Sequence, residues 1–310
     1  MIKTEPKKLL KSRFTVAHGG VGAKRYEPYL WLSPALLVLV GMVLYPWLWT
    51  FYISLTRWNP LMQTTPIFDG FGNYLRILAD PNFLTSINLT FILTVGTVSL
   101  QFIIGFGLAL MLNTDIKGKA FFRTLLLIPM MLTPSVVGML WKIILQDEFG
   151  VANWVLSLVG ISKVGWLSTP ELTMPLIIAI QTWIHMPFVM LMMYAGLQSV
   201  PGELLEAAKV DGANFVQQLW SVIIPWLRPV IVLVMLFRIM FALRTFDTIF
   251  GIWQSSGPLK SGLVLGAYLY EQVRMLWQFG TGAAVSYLML FITLAFTAWP
   301  MLKMYRGGEK

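Results

Sequence analysis

Residues 198–229 read QSVPGELLEAAKVDGANFVQQLWSVIIPWLRP. The stretch carries Glu203, Glu206, Lys209 and Asp211, four of the few charges in the second half of the chain. Apolar runs long enough to cross a bilayer flank it on both sides. Pro201 suits the first turn of a helix, where its missing N–H is no loss. Glu203 and Glu206 then fall in the early turns, where the positive end of the helix dipole favours carboxylates. GELLEAAKV is rich in helix formers, and Gly212 is placed to end the helix in a left-handed residue after Asp211. A second short helix is expected over roughly 214–221, ahead of Pro225. Helical spacing puts Leu204, Leu205 and Ala208 on one side and leaves Glu203, Glu206 and Lys209 more exposed. The expectation is a helix–turn–helix lying across one membrane face, with Ala207 and Ala208 small enough for close approach and carboxylates ready for pairing.

The surroundings fix the class. The chain has 310 residues, 57% hydrophobic and 12% charged, with a mean hydropathy of +0.70. Soluble domains carry about 25% charged residues, so the chain is an integral membrane protein. The absence of cysteine excludes disulfides and Cys-ligated metals. The first residues are basic and polar, lack the apolar core of a signal peptide, and read as a cytoplasmic tail over 1–28.

A spanning helix needs about 20 mostly apolar residues. Six segments qualify, at roughly 29–55, 87–112, 121–145, 174–197, 226–250 and 280–302, giving a membrane domain over 29–303 and a short C-terminal tail over 304–310. Pro46, Pro129, Pro134 and Pro187 inside these segments imply kinks or breaks whose freed carbonyls face protein or water. The net charge of +9 is unevenly placed. Fifteen Lys and Arg fall on the side that holds both termini, the turn near Lys117 and the 198–229 loop, and five fall on the other. That bias places both termini and the loop in the cytoplasm. External loops are expected at 56–86, 146–173 and 251–279, carrying the interfacial aromatics Trp58, Trp166, Trp253 and Trp277. The fold class is thus an all-α integral membrane protein of about six spans.

Catalytic and nucleotide motifs are missing from the sequence. It contains no GxxxxGK[ST] phosphate loop, no GxSxG, no HExxH and no cluster of metal-ligand spacing. An intramembrane enzyme needs a nucleophile and base, or a metal, at membrane depth; His185 and Arg238 are the deep ionisable groups, and neither has a carboxylate nearby in sequence. The sequence therefore gives no reason to expect a catalytic residue, metal or cofactor on this chain.

The loop is similar to the EAA loop in permease subunits of binding-protein-dependent ABC importers. Glu206-Ala207-Ala208 is followed by three residues, Gly212, nine residues and an apolar triplet closing on Pro225. Val222 and Ile224 depart mildly from the usual Ile and Leu. VPGELLEAAKVDGA and IIPWLRP resemble the sugar-importer branch that includes the maltose and glycerol-phosphate permeases. The likeness extends through Pro34 and Tyr45-Pro46, through Arg123 to Pro129 with Trp141, Gly150 and Asn153, and through Arg238, Ala242-Leu243-Arg244 and Phe246-Asp247. The resemblance implies the permease fold and a pore-forming half of an importer in the bacterial cytoplasmic (inner) membrane. It implies a second permease subunit, usually a different chain, a cytoplasmic ATPase dimer that binds ATP and Mg, and an external solute-binding protein. Carried over by position, Glu206, Ala207, Ala208 and Gly212 form the ATPase contact, with Glu203 beside them and Asp211 supporting the turn. The substrate class it implies is a carbohydrate, polyol or sugar derivative, moved by alternating access.

Charged residues deep in a membrane are costly and default to functional candidates. Arg238 lies near the middle of its segment with no acidic residue three or four positions away. The family has an acidic residue where this chain has Phe241, so a freed positive charge points to an anionic or strongly polar solute. Arg244 and Asp247 are spaced for an i,i+3 pair. His185 lies beside Pro187, and Gln181 and Trp183 offer hydrogen bonding and stacking along a substrate path. Ser256-Gly257-Pro258 departs from the family's Gly-Gly-Pro turn. Two rival readings are an ion-gradient transporter, disfavoured by the near absence of carboxylates in the spans, and a membrane scaffold with no transport role.

Overall fold

The computed structural model of the chain describes residues 27–114 and 117–307. Fourteen helices follow one another: α1 Glu27–Leu39, α2 Tyr45–Ser54, α3 Gly72–Ala79, α4 Pro81–Leu112, α5 Lys119–Met131, α6 Pro134–Ile144, α7 Val151–Leu158, α8 Pro170–Leu197, α9 Gly202–Val210, α10 Phe215–Gln218, α11 Ile224–Ala242, α12 Asp247–Trp253, α13 Leu265–Tyr270 and α14 Phe279–Gly307. A two-stranded antiparallel ribbon pairs β1 Thr56–Arg57 with β2 Ile67–Phe68. Most of the expected tail 1–28 lies outside the described residues; Glu27 and Pro28 already belong to α1, and α14 carries helix into the expected C-terminal tail.

The described residues up to Thr50 fall in one unit. Within it a π-helical turn, Val40–Leu44, joins α1 to α2, and the rings of Tyr45 and Trp49 stack 6.5 Å apart. Only 6% of the apolar window of the span Tyr29–Ser54 is buried. Such bareness suits a helix whose surroundings are lipid or another chain.

The second unit begins at Phe51. Its spine is the pair α4 and α8, of 32 and 28 residues, with half of the α8 apolar window buried. Small residues let the two backbones approach, as membrane helix pairs require. A Cβ on Gly105 would lie 2.9 Å from the Met186 carbonyl oxygen, and one on Gly96 would strike the Ile178 side chain. Three apolar cores surround this spine. Phe106, Ala109, Met190, Met193 and Leu227 fill the end near α9. Ile77, Phe83, Leu93, Ile177, Leu265 and Val285 fill the opposite end. Val137, Ile180, Ile184 and Ile252 join α6, α8 and α12.

The expected third span over 121–145 is not a straight helix. α5 and α6 are bent by 98° across Leu132 and Thr133, so the described residues contain five helices able to cross a membrane, or six with the bent pair taken as one span. The cause is local. Thr133 precedes Pro134, whose ring excludes the helical conformation from its neighbour, and Leu132 and Thr133 are extended at ψ 144° and 140°. The expected kink at Pro187 does not become a break, because α8 runs through it.

The fifth span also differs from the 226–250 expectation. α10, a π-helical turn at Leu219–Ile223 and α11 run on as one helical segment, Phe215–Ala242. The short helix expected over 214–221 is therefore the start of the span, and the polar part of the loop ends near Asn214. At the other end the helix stops at Ala242, and Phe246, at φ −149° and ψ −44°, begins a separate α12. α6 and α12, the two short helices beyond the two breaks, cross where glycine meets glycine. A Cβ on Gly138 would lie 2.5 Å from the Thr248 carbonyl oxygen and 2.9 Å from the Cα of Gly251.

The end of the bundle away from α9 is organised by amides. Asn153 uses all four of its bonds: its Nδ2 donates to the carbonyls of Asp147 and Val164, and its Oδ1 accepts from the Val164 amide and the Trp166 indole. Buried Asn73 donates to the carbonyls of Ser54 and Thr56, tying α3 to β1. Beside it Asp69 accepts from Arg76 at 2.6 Å and Arg57 at 3.2 Å. The hydrogen bond from Arg76, helped by the charges of both arginines, holds the Asp69 carboxyl below its ordinary value. A carboxyl depressed on folding stabilises above its unfolded pKa of about 3.9 and loses that contribution as pH falls through its folded value. Acidification below pH 4 is therefore expected to loosen the ribbon at 56–69. Amide exchange of this segment followed against pH checks it; exchange that does not accelerate rejects the role of the pair.

Candidate coupling surface and buried polar network

α9 begins at Gly202 just after Pro201 and ends at Val210; Asp211 caps it, and Gly212 takes φ +79°. Any side chain at that angle is strained, so the turn uses the one residue without a Cβ. Asn214 then opens α10 with a reciprocal capping box: its side chain accepts from the Gln217 amide and its own amide donates to Gln217 Oε1, at 2.9 and 2.8 Å. The sequence reading placed a helix start here without naming this box, although Asn-x-x-Gln is its signature.

No residue of α9 is fully buried. Leu205 and Ala208 are half-buried, and Leu205 packs against the core under α11. Glu203, Glu206, Ala207, Lys209, Asp211 and Gly212 are all exposed, so the structure brings these residues together on one surface. Leu204 is exposed at 42% rather than shared with the inner side, and Val210 is exposed at 88%. The element is fastened at its base. Gln218 is buried and donates to the Ala213 carbonyl, and Gln198 donates to Asn113 Oδ1 at the end of α4.

The substrate-path candidates separate into two groups. Arg238 is 4% exposed and donates through Nε to Oε1 of Gln101, 2.8 Å away. Gln101 is fully buried in the apolar length of α4, and its Nε2 donates to the Gln181 carbonyl at 2.9 Å. The Gln181 side chain in turn donates to Thr248 Oγ1 at 3.1 Å. One chain of bonds thus runs from α11 through α4 and α8 to α12. His185, half-buried, lies one helical turn from Gln181 on the same face. Three polar atoms beside or within this network, Thr94 Oγ1, Gln181 Oε1 and Thr182 Oγ1, are buried without a partner among the described residues. Buried polar groups of that kind are rare in folded proteins.

The other candidates lie elsewhere. Trp183 is 37% exposed and meets Trp141 edge-on at 5.8 Å, so it packs against α6 instead of joining the network. Arg244 and Asp247 are both exposed, and no ion pair joins them among the described residues. The expected i,i+3 pairing assumed a continuous helix, and the helix has ended at Ala242. Gln101 and Thr248 were missed. An amide alone in the middle of an apolar span was the available signal for Gln101; Thr248 had none.

The family model described as "binding-protein-dependent transport system inner membrane component" matches residues 101–300. The chain is 35% identical to the trehalose/maltose transport system permease protein MalF of Thermococcus litoralis, over 87% of this chain and 90% of that one. It is 32% identical to the arabinooligosaccharides transport system permease protein AraP of Bacillus subtilis, over 88% and 86%. Its fold is similar to that of a chain in the crystal structure of a bacterial ABC transporter involved in the import of the acidic polysaccharide alginate, with a TM-score of 0.78 and 22% identity over 90% of this chain and 95% of that one. With well over half of its length matched by the family model and most of it aligned to both permeases, the chain belongs to the binding-protein-dependent transport system inner membrane components.

Proposed function

We propose that the chain is one permease half of an ATP-driven importer for a carbohydrate, polyol or sugar derivative, and that α9 is the element through which a separate ATPase drives it. The observation that carries the coupling role is the nine-residue α9, with no fully buried residue and with Glu203, Glu206 and Lys209 facing outward. A surface so fully presented, yet anchored by Leu205 and Gln218, transmits a push to the base of the longest spans. The carbohydrate class is supported by the relatives with trehalose/maltose and arabinooligosaccharide permease names. The placement of α9 and both termini in the cytoplasm is supported by the Lys and Arg distribution. The partners in this reading are a second permease subunit, an ATPase dimer that holds ATP and Mg, and an external solute-binding protein.

Glu206→Lys reverses the charge at the centre of that surface, and Gly212→Pro removes the left-handed turn, since proline holds φ near −65°. Each is expected to lower ATP-driven uptake in proteoliposomes at least tenfold, with unchanged membrane insertion. Normal uptake by both variants would remove the coupling role. Uptake that survives a protonophore and stops on ATP depletion separates this reading from an ion-gradient transporter.

A further inference from the structure

At the end of the bundle away from α9, the loop after β1, α3 and the first turn of α14 line an open pocket of about 420 Å³. That is toward the small end of the roughly 300–1,000 Å³ typical of ligand sites. Arg57, Trp58, Gln63, Arg76, Gln278 and Thr281 line it. The wall is held by the backbone as well as by side chains: the amide of Phe279 donates to the Trp58 carbonyl at 3.0 Å, and Asn59 reaches the Leu276 carbonyl at 3.3 Å. The rings of Trp58 and Phe279 pack at 5.5 Å.

Two observations point to a ligand. Arg57 and Arg76 both use Nη2 on the single carboxylate of Asp69, which does not line the cavity, so two cations face one anion and one positive charge is left over. Each guanidinium has five N–H donors, and most of these have no protein acceptor among the described residues. Separately, Trp58 Nε1 and Gln63 Oε1 are buried and without partners. One is a donor and the other an acceptor, so the wall holds two polar groups with unused hydrogen-bonding capacity.

We propose that this pocket binds a small hydroxylated anion, a sugar acid or sugar phosphate, with its acidic group on Arg57 and Arg76 and its ring against the wall that Trp58 and Gln63 form. The choice of a sugar ring rests on the carbohydrate reading above. The positive charge and the orphaned pair stand independently of it. Such a site, on the face opposite α9, concentrates acidic solute before it reaches the buried network around Arg238.

The test titrates glucuronate, galacturonate and glucose 6-phosphate, each against glucose, into the full-length chain in phosphatidylcholine nanodiscs, with binding read by scintillation proximity. At least one acid is expected to bind about tenfold or more tightly than glucose, the effect of one or two charge-assisted bonds. Arg57→Gln with Arg76→Gln is expected to bring it to the glucose level, and Trp58→Phe to weaken the acid and glucose together. Both arginines are substantially exposed, and helical circular dichroism checks that the variants fold. No preference for any acid, or a preference that survives the double arginine variant, overturns the proposal. Loss of acid binding when phosphatidylglycerol replaces part of the lipid also overturns it, in favour of a lipid headgroup. ATP-driven trehalose uptake is measured in parallel. If it proceeds while no acid binds, the cavity assignment falls and the carbohydrate reading stands; if acids bind and no carbohydrate is imported, the reverse holds.

Discussion

Gly138→Leu is expected to abolish transport and to lower the stability of the α6–α12 pair by about 3 kcal/mol, the upper end of overpacking penalties. The argument is steric. The atoms that a side chain at this position would meet are the Thr248 carbonyl oxygen at 2.5 Å and the Cα and carbonyl carbon of Gly251 at 2.9 and 3.1 Å. These are backbone, so no rotamer change relieves the contact. A Cβ on Gly251 meets the Ser135 carbonyl oxygen at 2.5 Å, so Gly251→Leu is expected to behave alike. The helices cannot part without also disturbing Thr248, which holds the Gln181 side chain. Gly107→Ala is the control, since nothing lies within 4 Å of a Cβ there. Thermal unfolding in detergent and uptake in proteoliposomes are the measurements. A Gly138→Leu protein as stable and active as the Gly107→Ala control refutes the close crossing.

The second large effect concerns Gln101. Replacing it with Leu leaves Arg238 buried without the acceptor of its Nε–H. Hydrogen bonds to charged groups contribute about 1.5–3 kcal/mol, so Gln101→Leu is expected to destabilise the chain by about 2 kcal/mol or more. Arg238→Leu removes the charge itself and strands only a neutral amide oxygen, so its effect on stability is expected to be smaller. The double variant is expected to recover much of the stability lost in Gln101→Leu, because no buried charge then lacks a partner. Transport is expected to stay low in every variant without Arg238, as a residue on the path requires. Additive losses in unfolding would show that the two side chains are not coupled. Normal uptake by Arg238→Leu would take the arginine off the path.

How far the sequence carried the fold depended on the range of the interaction concerned. The spans at 29–55, 87–112 and 174–197 were legible because each is a long local apolar run; the structure ends the first at Ser54 and starts the other two earlier, at Pro81 and Pro170. The turn at Gly212 was legible because a left-handed residue needs glycine. Pro134 announced a break but not its 98° angle, which depends on how α6 packs against α12. The network at Arg238 was only half legible. The sequence marked the arginine and Gln181 as unusual at that depth. Their link is a residue 137 positions from Arg238, and only the packing of α4 against α8 and α11 puts it there. The Arg244–Asp247 pair failed for the converse reason, since it assumed local regularity where Leu243 to Phe246 leave the helix.

α9 has a consequence for the life of the subunit before it meets its partners. Nine residues with no fully buried side chain and no side-chain cap at the N-terminus fall short of the 12–15 that an isolated helix needs to be even marginal in water. Its order comes from Leu205 beneath it and from whatever covers its outer surface. On the coupling role proposed above, an unassembled copy is expected to offer proteases a frayed segment near 201–213 that its ATPase partner would cover. The same stretch would then double as a seal of assembly.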